Sequence, residues 1–75
     1  MCRSIKTLYH FDPPVTEEEI YAASLQFVRK ISGFRKPSPA NKAVFEKTVQ
    51  HISIHITQLL ESLETDAPLR RRELV

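Results

Sequence analysis

Apolar residues recur at helical spacing in two segments of the chain. In the second segment the spacing alternates between four and three residues, which is the a/d pattern of a helix with one continuous apolar seam. The seam consists of Phe45, Val49, Ile52, Ile56, Leu59 and Leu63. Ser38 is a suitable N-cap and Pro39 a suitable first helical residue, and no further proline or glycine occurs before Pro68. The pattern predicts a helix over about residues 39–64.

The first segment predicts a shorter helix with clear signals at both ends. Thr16 and Glu19 have the spacing of a capping box, and glutamates occupy the first turn, where the helix dipole favours negative charge. Gly33 suits the left-handed position that follows a helix, and Arg29 and Lys30 precede it in the last turn. We expect this helix over about residues 17–32.

The first helix carries a wide apolar arc. With a rotation of 100° per residue, the apolar residues span about half of the circumference. Packing against a single partner needs an apolar stripe only roughly 100° wide. The centre of the arc contains Ile20, Ala23, Ser24, Phe27 and Ile31, with Tyr21, Leu25 and Val28 beside them. We therefore expect this helix to be covered on two sides.

The two ends of the chain flank this predicted hairpin of residues 16–66. Residues 1–15 end in Asp12-Pro13-Pro14, which holds the backbone away from helical geometry, so we expect an extended arm laid over a helix. Residues 67–75 form a charged tail with room for a helical turn after Pro68. The predicted fold is a single all-α domain.

Size and composition favour assembly of two chains. The chain has 75 residues, 41% of them hydrophobic, and a core of this size supplies only a few kcal/mol. Its one cysteine cannot form an intramolecular disulfide. The predicted second helix, roughly 39 Å long, would also extend beyond the first helix, which would be roughly 24 Å long. The arm or a second chain must cover the remaining seam, and we expect a dimeric helical bundle.

Charge and hydropathy exclude several function classes. The formal charge of +2 is too mild to indicate nucleic-acid binding by itself. No apolar run is long enough to cross a bilayer and no signal peptide is evident, so we expect a cytoplasmic protein without membrane contact. The single glycine excludes glycine-rich phosphate loops of the Rossmann and P-loop types.

A basic junction lies between the predicted helices. Its residues are Arg29, Lys30, Arg35, Lys36 and Lys42, with Lys47 one turn further on. Together with Asn41 and the free amides of a helix N-terminus, these cations could hold a phosphate or a nucleic acid, and the tail arginines 70–72 would add to polyanion affinity. The alternative, which we favour, is a solvated turn between helices. A helix-turn-helix reader is disfavoured because the second helix offers few base-reading side chains and lacks a supporting helix.

Other candidate chemistry is sparse. His51 and His55 are spaced to lie on one side of a helix, but a third metal ligand is not evident, so we expect no metal site. Cys2 would become a nucleophile with its own amine as base if Met1 were removed. A lone thiol without a His partner is more often inert. We expect no cofactor, and catalysis is disfavoured.

Three motifs carry a resemblance to a known family. They are Met-Cys-Arg at residues 1–3, Phe-Asp-Pro-Pro at residues 11–14, and "RKISGFRKPSPAN" at residues 29–41. With them the chain resembles, over nearly its whole length, a family of small, mostly bacterial proteins catalogued as a domain of unknown function. The resemblance implies no activity, substrate or cofactor. It singles out Cys2, Arg3 and Asn41, for which the helix signals offer no structural reason, whereas His51, His55 and Leu69 depart from the family pattern.

The sequence thus favours a non-enzymatic helical interaction or oligomerisation module. A homodimer formed through the seam is the expected assembly, and a different protein partner is compatible with the same surface. The alternative function is phosphate or nucleic-acid binding at the basic junction.

Overall fold

The computed structural model describes residues 5–72, which form a helical hairpin with a very small parallel sheet. The elements are β1 (Phe11–Asp12), α1 (Glu17–Ser32), α2 (Lys42–Ser62) and β2 (Arg70–Arg71). The helical hairpin is confirmed. The all-α prediction is corrected by the sheet, which joins the arm to the tail.

The bounds of α1 agree with the prediction because residues at its own ends set them. The side chain of Thr16 accepts from the amide of Glu19 at 3.2 Å, and the Glu19 carboxylate accepts from the amide of Thr16 at 2.8 Å. This is the predicted capping box. Gly33 has φ 76° and donates its amide to the Arg29 carbonyl at 2.9 Å, which ends the helix in the left-handed conformation.

The start of α2 differs from the prediction. Ser38 does not cap the helix, because it forms a turn with Asn41 instead. The Ser38 carbonyl accepts from the Asn41 amide at 2.9 Å, and Ser38 Oγ accepts from the Asn41 side chain at 3.0 Å. Asn41 therefore takes the N-cap position, and α2 begins at Lys42. At 21 residues the helix is about 32 Å long, shorter than predicted.

The core lies between the two antiparallel helices. Val28 packs with Phe45 and Val49, which are 8% and 0% exposed. Ile20 is buried further toward the start of α1, and Ile52 packs partly against the cluster. The contact with α2 thus uses mainly one row of α1 spaced by four residues, with Leu25 packed against the cluster beside it.

The predicted two-sided cover of α1 is incomplete in one chain. Phe27 and Ile31, which the sequence places in the apolar arc, are 40% and 65% exposed. Phe27 lies on the flank of the contact row, and Ile31 is in the last turn, next to the loop. The wide arc therefore leaves apolar surface in contact with solvent.

A pair of hydrogen-bonded serines joins the two helices at a buried position. Ser24 is fully buried, its hydroxyl donates to the Ile20 carbonyl at 2.9 Å, and its oxygen accepts from Ser53 Oγ at 3.0 Å. No buried side-chain polar atom among residues 5–72 lacks a hydrogen-bond partner. Small residues at this level let the backbones pack closely.

The arm and the tail run in parallel. Phe11 pairs with Arg70 and Asp12 with Arg71, and the Arg70 amide donates to the carbonyl of His10 at 2.9 Å. The extended arm is confirmed at β1. The tail after Pro68 is extended too, because it pairs with the arm, so no helical turn forms there.

Membrane insertion through a helix is not supported by the described part of the chain. Neither α1 nor α2 combines the length and the apolar character that a bilayer span requires.

Candidate functional site

The loop between the helices holds the basic junction in a defined conformation. The side chain of Arg29 donates from Nε to the Arg35 carbonyl at 2.9 Å, and the Phe34 amide donates to Ser32 Oγ at 3.1 Å. Arg29 is therefore partly used in closing the loop. Phe34 remains 45% exposed at the outer end of the hairpin. We call residues 33–36 the tip.

The remaining cations of the junction point into solvent. Lys30, Arg35, Lys36 and Lys42 are exposed, and within residues 5–72 none of them forms an ion pair. Asn41 has a structural role, because its side-chain amide is directed at Ser38. It does not cap the first amides of α2. The junction thus presents positive charge on an open surface and not in a pocket.

The predicted histidine pair has no third ligand nearby. His51 and His55 are both exposed on α2, and the described residues contain no group of three or more His, Cys, Asp or Glu side chains able to hold a metal ion. The suspects Cys2 and Arg3 lie outside the described residues.

The apolar seam of α2 changes character along its length. Phe45 and Val49 are buried against α1, and Ile52 and Ile56 are half-buried. Leu59 and Leu63 are 53% and 44% exposed. We call the last four residues, from Ile52 to Leu63, the distal seam. It is the part of the predicted seam beyond the fully buried residues, and its exposure is greatest at Leu59 and Leu63.

A groove lies at the end of the hairpin opposite the tip. It has a volume of about 690 Å³ and runs between the arm, the start of α1 and the end of α2. Its apolar side chains include Leu8, Phe11, Val15, Ile20, Leu60 and Leu63. Its charged side chains are Glu17, Glu61 and Glu64, and no lysine or arginine lines it. We call it the acidic groove.

Sequence reasoning missed the acidic groove because its walls come from three distant segments. The only signal was the predicted surplus length of the second helix, which left seam residues for the arm to cover. The arm does contribute Leu8 and Phe11 to this groove. The arrangement provides an apolar surface with negative charge around it.

The tail is attached to the first turn of α1 by a salt bridge to Glu19. Its carboxylate makes a salt bridge with Arg72, with Nη1 to Oε1 at 3.1 Å, and the same carboxylate closes the capping box. The Arg72 guanidinium, and after it the Thr16 amide, lower the pKa of Glu19 below 4.5. Arg70 lies over the ring of Phe11, 5.6 Å from its centroid, and His10 Nε2 is hydrogen-bonded to the Ala67 carbonyl at 2.7 Å. These contacts hold the arm beside the groove.

Comparison with known proteins agrees with the resemblance seen in the motifs. Searches against curated proteins and against solved structures found no match. One family model, described as an uncharacterized conserved protein, matches residues 1–75. The chain therefore belongs to the DUF2277 family of uncharacterized conserved proteins.

Proposed function

We propose that this protein is a non-enzymatic helical module that associates with a second copy through the distal seam. The observation that carries the proposal is the exposure of Leu59 and Leu63 at a/d positions of a seam whose first half is buried. The seam is longer than the contact that one chain can provide. A second helix is what an a/d pattern accommodates.

The geometry of α2 supports one continuous contact surface. At 100° per residue the four residues of the distal seam fall within a sector of about 60°. Phe27 is on the flank of α1 and is 40% exposed. In an antiparallel hairpin that flank faces the same way as Ile52 and Leu59. The two helices thus present apolar side chains on one side of the hairpin.

Association would add burial that the single chain lacks. Only Ile20, Val28, Phe45 and Val49 are buried apolar residues within the described chain. Full burial of a leucine contributes at most about 1.5–3 kcal/mol, and in a two-fold dimer each such residue counts twice. For a domain whose core supplies a few kcal/mol, this is a large addition.

A matched pair of substitutions on α2 tests the proposal. We expect Leu59→Ser to weaken the dimer about tenfold or more, because an apolar contact of the interface is lost. Val44→Ser is the control, since Val44 is 63% exposed on the same helix but lies outside the seam. The dissociation constant is measured by light scattering or sedimentation over a concentration series. Equal constants for the two variants, or a larger loss for Val44→Ser, would contradict a seam-based dimer.

The alternative function, anion binding at the basic junction, rests on its unpaired lysines and arginines. An oligonucleotide pool added at low salt distinguishes it from the dimer. A mass increase that disappears with salt would support polyanion binding, because several phosphate contacts must weaken steeply as salt rises. For the interaction module we expect the dimer mass to stay unchanged.

A further inference from the structure

Charge is unevenly distributed between the two ends of the hairpin, although the tail arginines 70–72 lie at the same end as the acidic groove. Six lysines and arginines lie between residues 29 and 47, where the only acid is Glu46. The opposite end gathers the glutamates that start α1 and those that end α2, because the helices are antiparallel. Three of these, Glu17, Glu61 and Glu64, stand at the acidic groove. A single chain cannot bring these two ends together, since the described part of the chain extends 45 Å along its longest axis.

The tip is complementary to the acidic groove in both charge and apolar character. Phe34 is an exposed aromatic ring, and Arg35 and Lys36 follow it directly. The loop conformation is fixed by the bonds from Arg29 to the Arg35 carbonyl and from the Phe34 amide to Ser32. The tip therefore presents an apolar side chain with cations beside it. The groove presents an apolar floor with carboxylates beside it.

We propose that the acidic groove of one chain receives the tip of a second copy. This rests on the proposed self-association and names its arrangement. Phe34 enters the apolar floor near Leu60 and Leu63, and Arg35 and Lys36 meet Glu61 and Glu64. A two-fold axis makes the contact reciprocal, so each tip occupies the other chain's groove and the hairpins lie antiparallel. Complementary charge then selects this orientation over the parallel one.

Exchange of charge between the two surfaces tests the arrangement. The tip variant is Arg35→Glu with Lys36→Glu, and the groove variant is Glu61→Lys with Glu64→Lys. All four side chains are exposed, and the bond to Arg35 uses its backbone, so helix content by circular dichroism should be unchanged. We expect each variant alone to dimerise at least about tenfold more weakly than the natural chain, because like charges then face each other.

Mixing the two variants should restore the dimer. In the mixed dimer the reversed tip meets the reversed groove, and the unchanged tip meets the unchanged groove. The control is Glu18→Lys with Asp66→Lys, which changes the net charge equally at the same end but outside the groove. At moderate salt, where screening acts over about 8 Å, we expect the control to dimerise nearly as the natural chain does.

The outcomes separate the two proposals. A natural chain that dimerises while both variants remain dimeric, or a mixture that shows no rescue, overturns the tip-in-groove contact and leaves the distal-seam dimer standing. A natural chain that stays monomeric overturns both.

Discussion

Several residues that the family motifs single out have local structural roles. Asn41 closes the turn with Ser38, Arg29 fastens the loop through the Arg35 carbonyl, and Gly33 adopts the left-handed conformation that ends α1. The role of Gly33 was predictable because its cause lies within a few residues. The role of Asn41 was not, because Ser38, three residues earlier, is also a suitable N-cap, and only the folded turn decides which residue takes that position. Within the junction, the exposed lysines and arginines are the residues to which no such structural role is assigned.

Glu19 gives a prediction about pH. Its pKa is lowered in the folded state by Arg72 and by the Thr16 amide, so the folded chain binds this proton less tightly than the unfolded chain does. Its stabilising contribution is complete above the ordinary value of 4.5 and is lost as the pH falls through the lowered folded-state pKa. We expect Glu19→Gln to lower the melting temperature at neutral pH and to flatten its decline in acid.

Thermal unfolding from about pH 6 to about pH 3 measures this effect. Glu18→Gln is the control, because Glu18 is exposed in the same turn and has no part in the capping box. A decline in acid as steep in Glu19→Gln as in the natural chain would show that the contacts of Glu19 do not contribute to stability.

At the scale of elements, α1 and the two strands differ in how far the nearby sequence determines them. The bounds of α1 were predicted because a capping box and a glycine stop act locally. The two-residue strands were not predicted, because each is held by hydrogen bonds to a segment almost sixty residues away. The single chain also leaves Phe27 and Ile31 of the predicted apolar arc of α1 exposed. Periodicity identifies apolar positions, but the crossing of the helices decides which row is buried.

The serine contact between α1 and α2 gives a prediction for that crossing. Ser24 is fully buried against Ser53, so Ser24→Leu places extra volume at a filled position between the helices. We expect a loss of about 1–3 kcal/mol in the free energy of unfolding. Ala22→Leu, an exposed position of the same helix, is the control and should change stability little. Urea unfolding monitored by circular dichroism measures both. Equal stability of Ser24→Leu and the natural chain would mean that the helices do not pack closely there.

At the scale of the whole molecule, one chain leaves a pattern of unmatched surfaces. The distal seam is apolar and exposed at Leu59 and Leu63, the tip is basic and aromatic, and the acidic groove lies at the far end. The groove could not be foreseen from the sequence, because the arm, α1 and α2 form it only after folding. The short chain and the long seam predicted that the seam needs additional cover. In the arrangement we propose, a second antiparallel copy would place its tip in the acidic groove.

The molecular mass of the natural chain in solution tests self-association most directly. Sedimentation equilibrium at moderate salt, over a concentration series through the micromolar range, separates the chain mass of 8.7 kDa from twice that value. We expect the mass to rise to the dimer value and to fall back on dilution, because a modest apolar surface with complementary charged ends gives a reversible contact. A mass of 8.7 kDa at every concentration would contradict the proposed function.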